Sequence, residues 1–411
     1  MPRLPTALLR KAHAIDPFLP ALLAPCRDLR TAQNELRWLR EHVDKIAQAR
    51  RARGNTLAKG PLLGNLVRQR AKGKPLQYLL GTEYFGDLEI RVREGVLIPR
   101  QDTAASVSYL VRLLSDAPCS SKELRVPDDL RLLDLCTGTG CIPLLFRHEL
   151  QTVSPHVSLC ALGVDVSDKA LKLASYNLER TNRSASGEPI GSIDFIQADV
   201  LINPFDDQKD GPLPLKAALN HNRMPPFWDV LVSNPPYVSQ EAYWKTTTRS
   251  VRKFEPKLAL VPPNQKDRID VESRDAFYRP LLTIARDVEA KIVLLEVADM
   301  DQALRVARKA RSLNIFEGVE IWRDLPGASA DTPQSSSDDI SIIGEGNARS
   351  VVCWRGAGTH WLRKPVVRPP LSISFTLTQK DEIPLYSYPC LNNNVEILYS
   401  DTIAASRTFL L

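Results

Sequence analysis

Asn234-Pro235-Pro236-Tyr237 is the stretch of this chain best suited to chemistry. Asn234 carries a side-chain carbonyl that accepts hydrogen bonds. The main-chain carbonyl of Pro235 is a second acceptor in a loop that proline stiffens by fixing φ. Two neighbouring acceptors can grip both hydrogens of a planar NH2 group and leave the face of its nitrogen open to attack. Pro236 continues the stiff loop, and the ring of Tyr237 suits packing against a flat substrate group. The same residues alone would also make a plain proline turn, so the surroundings decide.

The apolar run Trp228-Asp229-Val230-Leu231-Val232-Ser233 reads as a buried strand, which puts the tetrapeptide at a strand's carboxyl end. Ligands of open α/β sheets bind outside those ends. Upstream, Arg131 to Cys136 reads as another strand, and Thr137-Gly138-Thr139-Gly140-Cys141 turns into an apolar, helix-like Ile142 to Glu149. Glycines there let backbone approach a ligand closely, and the helix start offers free N–H groups. Val157 to Val164 reads as a third strand ending at Asp165, whose carboxylate is placed to accept from ribose hydroxyls. Ile193 to Gln197 is a fourth, closing with Ala198-Asp199-Val200. Asp199 could accept from an adenine amino group while Val200 packs on the ring.

This succession resembles the class I methyltransferases that use S-adenosyl-L-methionine. A dinucleotide is the alternative cofactor, but the loop runs Asp-x-x-x-Gly-x-Gly and lacks the full Gly-x-Gly-x-x-Gly. The region before the fold narrows the resemblance. Lys74-Pro75-Leu76-Gln77-Tyr78, Glu83-Tyr84-Phe85-Gly86 and Ile98-Pro99-Arg100-Gln101-Asp102-Thr103 resemble, with the tetrapeptide, the HemK/PrmC family of release-factor glutamine N5-methyltransferases, in its mitochondrial, fungal form. Phe254 to Leu260 and the strand Ile292 to Val297, with Glu296, continue the resemblance, which spans roughly residues 15–355.

The resemblance implies an α/β fold: a Rossmann-like class I methyltransferase domain with a seven-stranded sheet, behind a small N-terminal α-helical domain. Residues 1–83 would be the substrate-recognition domain, 84–100 a hairpin linker and 101–356 the catalytic domain. Cys136, Thr137, Gly138, Thr139 and Gly140 would form the cofactor loop, although relatives usually carry glycine at the position of Cys136. Asp165 would hold the ribose, Asp199 and Val200 would flank the adenine, and Asn234 with Pro235 would clamp the substrate amide. Relatives usually carry Pro-Glu-Thr where this chain has Gln101-Asp102-Thr103. The implied partner is a class I peptide release factor, methylated on the glutamine of its Gly-Gly-Gln loop, and the enzyme is expected to be a monomer.

Composition agrees with an enzyme of two or three domains: 411 residues, 43% hydrophobic and 25% charged. No run approaches the ~18 apolar residues of a spanning helix. The seven cysteines form no Cys-x-x-Cys pair and the six histidines are isolated, so no zinc site, disulfide framework or other metal centre is expected. Charge is uneven. Residues 1–75 hold 16 Lys/Arg against 5 Asp/Glu, a balance of +11, whereas the whole chain is +6 and the remainder therefore −5. Much of the excess lies on a helical pattern from Ala32 to Gln69, either a solvated face or a surface for an acidic protein or RNA.

Met1 to Ile15 contains Arg3, Arg10 and Lys11 and no acid, as a mitochondrial presequence would, so a matrix location is expected, with the cytoplasm as alternative. Residues 203–226 and 328–339 read as solvent loops, and 357–411 as a poorly ordered tail with one strand-like run, Leu371 to Leu377. Two other function classes remain open: a methyltransferase of an exocyclic amine in nucleic acid, whose base would be extruded into the pocket, and a non-catalytic module. The acids at the strand ends argue against the latter.

Overall fold

Leucines and alanines three and four positions apart make the first eighty residues helical. Helices α1 (Thr6–Ile15), α2 (Leu19–Cys26), α3 (Leu29–Arg51), α4 (Lys59–Ala71) and α5 (Leu76–Leu80) follow one another. Ala32, Leu36, Leu39 and Val43 lie on one face of α3 and close a core of their own with Leu19, Leu22, Leu23 and Ala12. The start of α3 is capped by Asp28, which accepts from the Thr31 N–H at 2.8 Å. The helical pattern expected over 32–69 is two helices, because the chain turns at Gly54 with φ of 78°. Within Met1 to Ile15, read as a candidate presequence, Thr6–Ile15 forms α1, and its Ala12 is fully buried in this core.

The computed structural model describes residues 4–115, 125–184, 190–202, 211–263, 274–328, 334–335 and 339–365. Leu371 to Leu377 and the rest of 366–411 lie outside the described residues. An antiparallel hairpin, β1 (Thr82–Phe85) and β2 (Leu88–Arg91), joins the helices to α6 (Gln101–Ser115). It is shorter than the linker expected over 84–100. The turn needs Gly86, which has φ of 55° and whose missing Cβ would lie 2.7 Å from Leu145.

The main sheet is built from apolar runs. It contains β3 (Asp129–Leu135), β4 (Ser158–Asp165), β5 (Gly191–Gln197), β6 (Val230–Ser233), β7 (Ile292–Glu296), β8 (Gly318–Leu325) and β11 (Glu345–Trp354), with two short strands, β9 (Gln334–Ser335) and β10 (Ser341–Ile343). The order is β5-β4-β3-β6-β7-β11-β8-β10-β9. The first five run parallel, and β11 inserts antiparallel between β7 and β8. The expected seven-stranded sheet is thus present and extended at one edge by β9 and β10. Helices α7 (Cys141–Val153) and α8 (Asp168–Ser184) are the crossovers from β3 to β4 and from β4 to β5. The central strands β4, β3, β6 and β7 are buried on both faces over most of their length, as near-continuous Leu/Val/Ile runs in a parallel sheet require.

Three expectations are corrected. Residues 215–221, expected in a solvent loop, form α9 (Leu215–His221), with Leu215, Ala218 and Leu219 buried at helical spacing on the main core. Residues 334–335, expected in another loop, pair with β10 at the sheet edge. Residues 357–365 are not loose tail. Ala357–Trp361 is helical, Trp361 and Leu362 enter the core, and the Lys364 ammonium meets Glu320 at 2.7 Å.

Candidate active site

Register brings the chemistry together. Leu135 pairs with Val164 on one side and Ser233 on the other, and Ser233 pairs with Leu295. The residues that follow, Cys136, Asp165, Asn234 and Glu296, therefore emerge at one level on the carboxyl edge of the sheet. Asp199 joins them two residues past β5. A cavity of about 280 Å³ opens there, lined among others by Cys136, Gly138, Asp165, Asp199, Val200 and Asn234. Pro236 also lines it.

The glycine loop is tied down from within. The Thr137 hydroxyl donates to Asp134 Oδ2 at 2.5 Å, and the Thr137 N–H to the Val164 carbonyl at 2.9 Å. Burial pushes the Asp134 carboxyl up to about 8, against the Thr137 hydrogen bond and with help from the charge of Asp165. Gly138 has φ of 55°, and a Cβ there would meet nothing within 4 Å, so its backbone faces open space on the cavity side. Gly140 is glycine for another reason: a Cβ would lie 2.9 Å from the Phe195 ring and 3.0 Å from Ala174. Cys136 adopts φ of 65°, the left-handed region that glycine takes freely. Thr137, Thr139 and Gly140 shape the loop from behind the lining.

Asp165 Oδ2 accepts from the Gly138 N–H at 2.8 Å and Oδ1 from the Ser167 N–H at 2.9 Å. Burial raises its pKa, and these main-chain donors oppose the shift. Each carboxylate oxygen keeps a lone pair for a hydroxyl. Asp199 Oδ1 accepts from the Leu201 N–H at 2.8 Å. A nucleoside with a short charged tail fits this donor set: two acids at adjacent strand ends, an open glycine backbone and the apolar Val200.

The tetrapeptide divides. Asn234 and Pro236 line the cavity, while Pro235 is buried beside them. Tyr237, expected to pack on a flat substrate group, instead turns its ring to the main core and donates its hydroxyl to Glu296 Oε1 at 2.8 Å. That acceptor is the physical reason: a phenol beside a buried carboxylate finds its partner there. Asn234 Nδ2 lies 3.3 Å from the Thr103 hydroxyl oxygen, which is hydrogen-bonded to Glu296 Oε2.

Sequence reasoning did not place Thr103 or Glu296 in the site. Glu296 could have been found by the rule that located the others, since it also ends an apolar strand. The second wall of the cavity was missed as well: Gly95, Val96 and Leu97 before α6, and Pro256, Leu258 and Ala259 after β6.

The sheet order and the acid-lined cavity at the carboxyl edge define a class I methyltransferase whose cofactor is S-adenosyl-L-methionine. No family model matches the chain. Curated relatives do. It is 32% identical over 261 residues to the mitochondrial MRF1 N(5)-glutamine methyltransferase MTQ1 of Saccharomyces cerevisiae, covering 64% of this chain and 68% of that one. It is 32% identical over 305 residues to the probable MRF1 mitochondrial N(5)-glutamine methyltransferase mtq1 of Schizosaccharomyces pombe, covering 73% and 87%. To the release factor glutamine methyltransferase of Chlorobaculum tepidum it is 35% identical over 196 residues, 48% of this chain and 55% of that one. The chain belongs to the release factor glutamine methyltransferase family, HemK/PrmC.

Proposed function

We propose that this enzyme methylates the side-chain amide nitrogen of the glutamine in the Gly-Gly-Gln loop of a mitochondrial class I peptide release factor. The observation that carries the reading is the position of Asn234, on the wall of the cavity, with Pro235 next to it in the chain. An amide NH2 has two hydrogens, and Asn234 Oδ1 with Pro235 O supplies two acceptors.

Asp165 would hold the cofactor by its ribose hydroxyls and Asp199 by its adenine amine, with Val200 against the ring. S-adenosyl-L-methionine, when bound, supplies a methyl group activated by its sulfonium. Asn234 and Pro235 align the amide nitrogen and polarise its N–H bonds, and the walls from 95–97 and 256–259 exclude water. No strong base is required of the chain, since the extra proton of the methylated amide is lost to solvent. Residues 1–83, with their own helical core and basic balance, serve as the substrate-recognition domain, and 101–356 as the catalytic domain.

The naming of both yeast relatives as mitochondrial supports a mitochondrial location. Among the described residues, no helix is long and apolar enough to cross a membrane.

One observation favours a second substrate class. Trp244 is 63% exposed, with Arg252 and Lys257 over its ring, on the segment that leads to the cavity wall. An aromatic ring between cations also suits a nucleic-acid base. The test is mass spectrometry of the release factor after incubation with enzyme and S-adenosyl-L-methionine. One methyl group on the side chain of the Gly-Gly-Gln glutamine supports the proposal; an unmodified glutamine under turnover with another substrate defeats it.

A further inference from the structure

A short polar relay behind the cavity ends on Asn234. Glu296, at the end of β7, is 3% exposed, and Thr103, in the first turn of α6, is 4% exposed. Glu296 Oε1 accepts from the Tyr237 hydroxyl at 2.8 Å, and Oε2 from the Thr103 hydroxyl. Thr103 Oγ1 in turn lies 3.3 Å from Asn234 Nδ2. Of the four residues, Asn234 is the one that lines the cavity.

With Glu296 ionised, the direction of each bond follows from chemistry. An ionised carboxylate has no proton to give, so it can only accept. The single O–H of Thr103 must therefore point at Glu296, and what Thr103 turns toward Asn234 is an oxygen with lone pairs only. The carbonyl end of the Asn234 amide would set lone pair against lone pair there, whereas its NH2 end makes a hydrogen bond. Oδ1 is then left for the cavity.

We propose that Thr103 and Glu296 are positioning residues that fix the polarity of the Asn234 side chain, so that the site offers the substrate an acceptor and not a donor. This deepens the reading that the substrate is a side-chain amide and rests on it. The fixed polarity also gives selectivity: a glutamate in place of the glutamine would set a carboxylate against Asn234 Oδ1 and be repelled. Asn234 free to flip would accept either.

The experiment compares wild type, Thr103→Val, Thr103→Ser and Asn234→Ala, with Thr103→Val also made in the Asn234→Ala background. For each, kcat and KM are measured with the release factor, together with the dissociation constant for S-adenosyl-L-methionine and the Tm. Valine keeps the shape and removes the hydroxyl; serine keeps the hydroxyl. The expected result is a roughly tenfold or greater loss of kcat in Thr103→Val, the scale of one lost hydrogen bond, with cofactor affinity unchanged. Thr103→Ser should restore most of that loss, and Thr103→Val should add nothing once Asn234 is alanine. Wild-type kcat in Thr103→Val, or an equal loss in both backgrounds, would overturn the positioning role. So would failure of serine to restore turnover at an unchanged Tm. If wild type labels no glutamine at all, the substrate reading falls and the positioning role with it.

Discussion

Arg100 reaches over Glu255 and bonds both of its carboxylate oxygens, at 2.9 and 3.0 Å, across 155 residues of sequence. Glu255 Oε2 also accepts from the Ile98 N–H at 3.1 Å. The side chain of Glu255 is 1% exposed and that of Arg100 37%. This pair clips the Ile-Pro-Arg segment to the stretch after the tetrapeptide, and the residues beside them in sequence, 95–97 and 256–259, line the same cavity. The Ile-Pro-Arg segment thus has a physical task, holding the two stretches of that lining together.

Arg100→Met should leave the buried carboxylate of Glu255 with a single main-chain donor. Removing one partner of a buried pair costs about 3–5 kcal/mol. Arg100 is partly exposed and solvent screens it, so about 2 kcal/mol is expected here. Chemical unfolding measures that loss, and calorimetry with S-adenosyl-L-methionine should show weaker binding as the walls part.

Glu296 gives a pH dependence with opposite signs for activity and stability. Burial raises its pKa; the hydroxyls of Thr103 and Tyr237 and the charge of Arg349 oppose the shift, and Asp102 adds to it. The positioning relay needs the ionised form, so kcat should fall as pH drops through this raised pKa, above the ordinary glutamate range. Folded protein holds the proton more tightly than unfolded protein, so the contribution of Glu296 to stability should rise over the same window. A kcat–pH profile run beside a Tm–pH profile checks both. In Glu296→Gln this acid limb should vanish from the residual activity.

Cys136 sits at φ of 65°, where a side chain strains the backbone by roughly 1–2 kcal/mol. Cys136→Gly should therefore keep stability within about 1 kcal/mol of wild type, relief of strain offsetting greater freedom of the unfolded chain. Cys136→Val, β-branched at positive φ, should lose more than about 1 kcal/mol. Thermal unfolding and cofactor titration distinguish the two variants.

What sequence could tell followed from how local each signal is. Asp165, Asp199 and Asn234 were legible because each ends an apolar run, and a parallel sheet gathers such ends on one edge. The sheet itself was legible through family resemblance; the edge strand at 334–335 was not, since two residues carry no period. Helix α9 was missed because Leu215, Ala218 and Leu219 make barely two turns. The relay was illegible in principle: Thr103 and Glu296 are 193 residues apart, and only the docking of α6 against the end of β7 brings them together. Tyr237 was misplaced for the same reason, because its partner Glu296 lies 59 residues away.

The central claim is that the Asn234 site takes a protein amide. The most direct measurement offers the enzyme labelled S-adenosyl-L-methionine with equal access to a mitochondrial class I release factor, its Gly-Gly-Gln variant with glutamine replaced by alanine, and mitochondrial RNA and DNA. The account predicts label in the wild-type factor alone, resistant to nuclease and absent with Asn234→Ala enzyme that still binds the cofactor. Label in nucleic acid, or equal label in the alanine variant, would contradict it.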